Sequence, residues 1–393
     1  MRPRRYQLRK DAIAIVERGH PWIFRDHLSS AASVFRDGDW LRLVDGHNRV
    51  IGHGIFEADG AIAIRMLRRG PDLPDARFLR DQITAAVARR APLASRTTGI
   101  RLLHGESDGL PAIVADRFDD TVVIASYSAG SDALARFAAR VLWDLAARSP
   151  GSDVLGIVRH VVLRPAKRRR GPPLPARVLR GAPPDVASFV EDGLRFDVDL
   201  AGGHKTGTYL DLRGLRHTVA TLPLAGARVL NLFAYTGMLG RAAEAAGAAE
   251  IVQVDASERA LAFARAHHVR DPARHTFVVA DVFAWFPQHE PAAPFDVVIV
   301  DPPSMTSKKP QVPAALAAYR ALYRAAARHV AVGGLVVAAC CTSRIERGVF
   351  HRVVREALGP GFERDRELAI EVDHPVGFAE ADYLKIALWR RRA

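Results

Sequence analysis

At 393 residues, with 49% hydrophobic and 25% charged residues, the chain has the composition of a soluble globular protein and the length for two or three domains. No apolar run approaches the roughly 20 residues that span a bilayer, and the basic opening Met1-Arg-Pro-Arg-Arg-Tyr6 leads into no apolar stretch, so neither a membrane helix nor a secretory signal is expected. Lys and Arg outnumber Asp and Glu by 56 to 43, a net charge of +13 that points to a polyanionic partner such as nucleic acid, although an Arg-rich composition can also reflect codon usage.

Two adjacent cysteines, Cys340 and Cys341, cannot build a disulfide framework, which fits a reducing cytoplasm. No metal is expected.

The first seventy residues read as short strands. Trp40-Leu-Arg-Leu-Val44 alternates, Asp45-Gly46 turns, and Val50 to Phe56 returns, with a third strand at Ala61 to Arg65. This is a small β domain, residues 1–72. From 73 to 185 helices alternate with strands: a helix over 75–91, strands at 101–104, 112–115 and 121–125, a helix over 132–147 and a strand over 156–163. That pattern suits a small α/β domain with an antiparallel sheet. Glu106, Asp108 and Asp116 surround a Gly-Leu-Pro turn and are read as shaping it. Lys167-Arg-Arg-Arg170 followed by Pro172, Pro173 and Pro175 is an exposed linker, with phosphate contact as its functional reading and a solvated hairpin tip as the alternative.

From 186 to 393 the pattern is an alternating β/α series. A hairpin (190–200) leads into Gly202-Gly-His-Lys-Thr-Gly207, with a helix starting near Tyr209. Strands then fall at 229–233, 251–255, 277–281, 295–301, 334–341, about 364–370 and 383–389, which implies a seven-stranded doubly wound sheet with its ligand at the topological switch point. The first strand breaks into Ala234-Tyr-Thr-Gly237 and a helix begins at once. The second ends in Asp255, about the offset from the turn at which a carboxylate can hold ribose hydroxyls. The third and fourth end in Asp281 and in Asp301-Pro302-Pro303. Any one such Asp can be an ordinary helix cap; four strand ends together describe a nucleoside-cofactor site. The turn offers one early glycine, Gly237, where a diphosphate would want three, so S-adenosylmethionine fits better than a dinucleotide.

The segments NLFAYTG (231–237), VDAS (254–257), Asp301-Pro-Pro303, GGHKTGTYLD (202–211), HPWIF (20–24), ESDGLPAIVADRF (106–118) and EADYLK (380–385) together resemble the bacterial large-subunit rRNA (cytosine-5) methyltransferase I type, over nearly the whole chain. The resemblance implies a class I S-adenosylmethionine-dependent methyltransferase, Rossmann-like, preceded by a PUA-like RNA-binding barrel and a middle α/β domain. It implies large-subunit rRNA as partner. It also implies cofactor contacts from Lys205, Thr206, Asn231, Phe233, Ala234, Tyr235, Gly237, Asp255, Ala256, Ser257, Asp281, Val282 and Asp301. His20 and Trp22 are read as packing the barrel, with RNA contact as the alternative, and pairing of barrel edges would give a homodimer. Two departures stand out: Leu212 replaces the family's usual Gln, and Ser304 follows Pro303 where the family has Lys. The second is shared with related guanine-methylating enzymes.

Adjacent strand residues face opposite ways, so Cys340 and Cys341 cannot both line one pocket. Free cysteines are often small buried hydrophobes. By resemblance Cys341 falls on the family's nucleophile, which would attack C6 of cytosine and make C5 nucleophilic, while Asp301 hydrogen-bonds the base.

Overall fold

The computed structural model describes residues 3–148, 154–166, 174–203, 206–306 and 308–392. The chain forms two compact units, one of Met1–Leu210 with Val372–Ala379 and one of Asp211–Glu371 with Glu380–Ala393.

The first unit holds two sheets and a hairpin. Its N-terminal sheet has the order Arg4–Gln7, Trp40–Val44, Val50–Phe56, Ile62–Arg69, Trp22–Phe24, so the expected hairpin and third strand are present. The opening strand and the helix Lys10–Glu17 were not apparent in the sequence. The hairpin turn is fixed by Asp45, whose Oδ1 accepts from the backbone of His47 and Arg49 at 2.9 Å each. Alternate residues Leu41, Leu43, Ile64 and Met66 point into one apolar core.

The second sheet runs Arg177–Arg180, His160–Arg164, Thr121–Ser126, Ile113–Phe118, Gly99–His104. It is antiparallel except where 121–126 lies parallel to 160–164, and helix Asp132–Arg148 makes the crossover that a parallel pair requires. Helix Ala76–Ala88 begins at Asp75, whose carboxylate accepts from Phe78 N at 2.8 Å. The hairpin Val186–Glu191 with Leu194–Asp199 was expected to open the C-terminal domain. It packs instead within the first unit, where the Phe189 ring lies tilted between Phe118 (5.8 Å) and Phe196 (5.6 Å). The basic linker at 167–170 lies outside the described residues.

Two ion pairs are buried in this unit. Arg90 grips Asp108 with two bonds of 3.0 and 2.6 Å, and Arg101 grips Asp116 at 2.7 and 2.8 Å. Asp373, on the segment that returns from the far end of the chain, accepts from Arg101 N at 3.0 Å and gives its carbonyl to Arg90 at 3.3 Å. Glu106 accepts from Trp22 Nε1 at 2.8 Å and from Arg65. These acids were read as shaping the turn; in the structure they pair with arginines, Asp116 from within a strand. Trp22 also packs edge-on against Phe378 at 4.8 Å, and His20 packs against Trp22 at 5.7 Å.

The second unit is a seven-stranded sheet: β1 (Arg228–Leu232), β2 (Glu250–Asp255), β3 (His275–Val279), β4 (Phe295–Val300), β5 (Val330–Cys340), β6 (Phe362–Leu368) and β7 (Lys385–Arg391). Their order is β3-β2-β1-β4-β5-β7-β6, parallel from β3 to β5, with β7 inserted antiparallel between β5 and β6. The order reverses between β1 and β4, which makes their carboxyl ends the switch point. Strands such as Val297–Val300 are apolar throughout because helices cover both faces. One face packs under helices Val312–His329 and Arg347–Leu358 through Tyr319, Tyr323, Phe350 and Val353. The other packs under Arg213–Ala220 and Met238–Ala245 through Leu215, Val219, Leu239 and Ala242. This is the class I methyltransferase fold. Among the described residues no helix is long and apolar enough to cross a membrane.

Candidate active site

β1 delivers its chain into a left-handed turn: Phe233 (φ 59°), Tyr235 (φ 48°) and Gly237 (φ 74°) all have positive φ. Side chains rarely accept that region, so two of the three positions carry local strain, as turns at ligand sites often do. Gly237 has no alternative. A Cβ there would lie 2.7 Å from Ala264 Cβ and 2.8 Å from Gln253 Oε1, and helix Met238–Ala245 starts at the next residue. Because Phe233 and Tyr235 bring side chains to the turn, it offers no bare glycine cradle for a diphosphate.

Asp255 ties this turn to β2. One carboxylate oxygen accepts from Tyr235 N and the other from Ser257 N, both at 2.8 Å. The carboxylate is half-buried, and each oxygen keeps a second lone pair that a ribose hydroxyl can use. Ala256 is exposed, and Ser257 caps helix Glu258–His267 through Ala260 N at 3.2 Å. Asp281 is an exposed cap for the short helix Val282–Trp285, accepting from Phe283 N at 2.9 Å, and Val282 is buried. Phe233 faces Phe283 across 5.2 Å, so an aromatic pair stands between the β1 turn and the β3 end. Phe283 was missed in the sequence, where nothing separates it from a core phenylalanine; it is 39% exposed.

Asn231 sits differently from its neighbours. Its side chain is buried and its Nδ2 reaches Gln253 Oε1 at 3.4 Å, and Gln253 in turn meets His275 Nδ1 at 3.1 Å. Among the described residues its buried Oδ1 has no hydrogen-bond partner. Ala234 is buried and its N–H bonds to Val254 O at 3.0 Å. Thr206 belongs to the first unit, where it is fully buried and donates to Asp116. Lys205 lies outside the described residues.

Beside this set, β4 and β5 bring Asp301 and Cys341 to the same carboxyl edge. Asp301 is half-buried directly after β4. Cys340 is fully buried in one apolar cluster, whereas Cys341 is half-buried against the cluster on the opposite face. The alternation argument therefore holds: one thiol is core, the other faces the edge. Cys341 Sγ lies 3.5 Å from Pro302 O, and Thr342 Oγ1 accepts from Met305 N at 3.1 Å, so the Asp301-Pro-Pro303 loop is stitched to the cysteine turn at two points. Below them Tyr319 OH meets Thr342 Oγ1 at 3.3 Å and Tyr323 OH donates to Ala339 O at 3.1 Å. Burial, with Cys340 alongside, pushes both phenols above the ordinary tyrosine range. Lys385, the last residue of EADYLK, donates to Thr342 O and Tyr383 O at 3.0 Å each, and burial holds its ammonium below the usual lysine range. The sequence reading gave it no role.

A doubly wound sheet with a one-glycine turn, three acids along its carboxyl edge and a thiol beside the third defines a class I methyltransferase. A family model of S-adenosylmethionine-dependent methyltransferases matches residues 101–369, and one of PUA-like domains matches residues 7–69. The chain is 32% identical to the ribosomal RNA large subunit methyltransferase of Deinococcus radiodurans, over 97% of this chain and 96% of that one. It is 31% identical to ribosomal RNA large subunit methyltransferase I of Alteromonas mediterranea, over 94% of each. A solved structure described as a SAM-dependent methyltransferase from Streptococcus mutans shares the fold with a TM-score of 0.81 at 20% identity, covering 98% of this chain and 99% of that one. A second methyltransferase structure with the same score is complexed with SAH. The protein belongs to the S-adenosylmethionine-dependent methyltransferase family that includes these ribosomal RNA large subunit methyltransferases, and it carries an N-terminal PUA-like domain. S-adenosylmethionine is its cofactor.

Proposed function

We propose that the protein methylates C5 of a cytosine in large-subunit ribosomal RNA through a covalent adduct with Cys341. The observation that carries this reading is the half-buried thiol of Cys341, 3.5 Å from Pro302 O and beside Asp301, at the edge where the cofactor-binding carboxylates emerge. The names of the relatives and the net charge of +13 support ribosomal RNA as the substrate.

When bound, S-adenosylmethionine supplies an electrophilic methyl group. Asp255 would accept hydrogen bonds from its ribose, Asp281 and Val282 would border its adenine, and Phe233 with Phe283 would wall that end. Asn231, Ala234, Tyr235, Gly237, Ala256 and Ser257 complete the proposed contacts, Asn231 from behind the turn; Thr206, fully buried against Asp116 in the first unit, is left out of them. The target cytosine leaves its stack to enter beside β4.

C5 of cytosine is a weak nucleophile. The Cys341 thiolate adds its electron pair to C6, the C5–C6 π pair moves into the ring, and C5 becomes enamine-like. Asp301, as the carboxylic acid, would accept from the exocyclic amino group with one oxygen and give its proton to N3 as charge builds on the ring, taking it back when the thiolate leaves. After C5 takes the methyl group, a base removes the C5 proton, the C5–C6 double bond reforms and the thiolate leaves.

The test is transfer of labelled methyl to unmodified large-subunit rRNA by wild type and Cys341→Ala, with nucleoside analysis. We expect labelled 5-methylcytosine that falls by about 10⁴-fold or more in the variant. A methylated guanine, or activity untouched by the substitution, would make Cys341 a packing residue and favour methylation at a guanine nitrogen.

A further inference from the structure

A turn that holds two side-chain-bearing residues at positive φ persists only where its surroundings fix it from several sides. The turn after β1 is such a case, with Phe233 at φ 59° and Tyr235 at φ 48°. Its start is pinned by Ala234 N–H on Val254 O at 3.0 Å, and Gly237 N–H closes back onto Ala234 O at 2.8 Å. Between these, Asp255 takes the N–H of Tyr235 at 2.8 Å. The carbonyl of the next residue, Thr236 O, is taken by the imidazole of His268, whose Nδ1 lies 2.5 Å away. Both residues are buried, His268 to 1% exposure. A carbonyl oxygen only accepts, so Nδ1 carries the hydrogen of this bond.

His268 is itself held in place. It is the C-cap of helix Glu258–His267, its backbone N–H bonds to Ala264 O at 2.9 Å, and its ring stands edge-on to Phe263 at 5.8 Å. One helical turn earlier, Ala264 lies so close to the β1 turn that a Cβ on Gly237 would come within 2.7 Å of its own Cβ. The same helix is capped at its start by Ser257, whose N–H bonds to the other oxygen of Asp255 at 2.8 Å. Asp255 and His268 therefore stand at opposite ends of one helix and grip neighbouring backbone groups, the N–H of Tyr235 and the C=O of Thr236. With that carbonyl released, the Tyr235–Thr236 backbone can relax toward negative φ, and Asp255 loses the N–H that orients its carboxylate.

We propose that His268 is a positioning residue for S-adenosylmethionine: its Nδ1–H fixes the Thr236 carbonyl and keeps the β1 turn, and Asp255 with it, in the form that receives the cofactor. This rests on the reading of that turn and Asp255 as cofactor contacts. His268 acts through the turn, so its effect falls on cofactor binding and leaves the chemical step alone. A buried carbonyl left without its donor is costly, which gives the loss a measurable size. Asparagine carries an amide N–H close to the place of Nδ1, whereas leucine fills the space without a donor.

The test is calorimetric titration of S-adenosylmethionine into wild type, His268→Leu and His268→Asn, with methyl-transfer kinetics alongside. In His268→Leu the affinity should weaken by about tenfold or more, with KM for S-adenosylmethionine rising in step and kcat at saturating cofactor within about twofold of wild type. His268→Asn should recover most of the affinity. Unchanged affinity in a folded His268→Leu protein overturns the proposal, and so does an asparagine variant that binds no better than the leucine one. Should His268→Leu not fold, nitrogen-15 NMR of the wild-type imidazole gives a second reading. The hydrogen should reside on Nδ1 and exchange more slowly once S-adenosylhomocysteine is bound; a bare Nδ1, or exchange indifferent to that ligand, overturns the assignment. Unaltered cofactor affinity in Asp255→Asn would sink the cofactor-site reading itself, whereas weakening there but not in His268→Leu would remove only the role of His268.

Discussion

Two regions of this molecule concentrate charge, and they use it in opposite ways. In the first unit Arg90 with Asp108 and Arg101 with Asp116 form two-bonded ion pairs out of reach of solvent. At the carboxyl edge of the seven-stranded sheet, Asp255 is held by two backbone N–H groups and Asp281 by one, and both remain open to a ligand. A carboxylate saturated by arginine is architecture. One anchored by the backbone, with lone pairs to spare, is poised for recognition.

The contrast can be broken by experiment. Asp108→Ala strands the fully buried guanidinium of Arg90 and should cost about 3–5 kcal/mol in denaturant unfolding, while whatever folds binds S-adenosylmethionine normally. Asp255→Asn should do the reverse. Cofactor affinity by calorimetric titration should weaken by roughly 1.5–3 kcal/mol, with little change in stability. If Asp108→Ala weakened cofactor binding directly, or Asp255→Asn chiefly unfolded the protein, the division would fail.

A smaller effect concerns pH. His104 sits against the same ion pairs; burial, then Arg101 and His374, hold its pKa down to about 2. The unfolded chain takes up a proton near pH 6.5 that the folded state refuses, so this contribution is present above pH 6.5 and is lost as the pH falls. The slope from His104 should approach ~1.4 kcal/mol per pH unit below 6.5. Urea unfolding at pH 7 and pH 5.5 should show the loss, and His104→Gln should flatten it.

Much of the sheet was legible because parallel strands covered on both faces are apolar runs, and the acids at their ends stand out against them. Alternation said only that Cys340 and Cys341 cannot both line one pocket, and the two do lie in clusters on opposite faces; the choice of Cys341 came from the resemblance. What stayed hidden depends on contacts distant in sequence. Nothing in the hairpin 186–199 announces that Phe189 will pack against Phe118. Lys385 reads as one more basic residue until β7 is seen to run antiparallel beside β5, opposite Cys340. Phe283 acquires meaning only through Phe233, 50 residues earlier. The strand Arg4–Gln7 was invisible because four residues carry no period, and its pairing with Trp40–Val44 comes from the fold around it.

The segment Val372–Ala379, which completes the first unit, bears on the order of events at synthesis. The first 210 residues leave the ribosome well before Asp373 does. Until then the backbone N–H of Arg101 lacks the acceptor it has in the finished protein, and Arg90 lacks one carbonyl partner. The first unit therefore waits, incompletely closed, for a clasp encoded far downstream of its other residues. Truncation before Val372 would remove that clasp from both arginines at once.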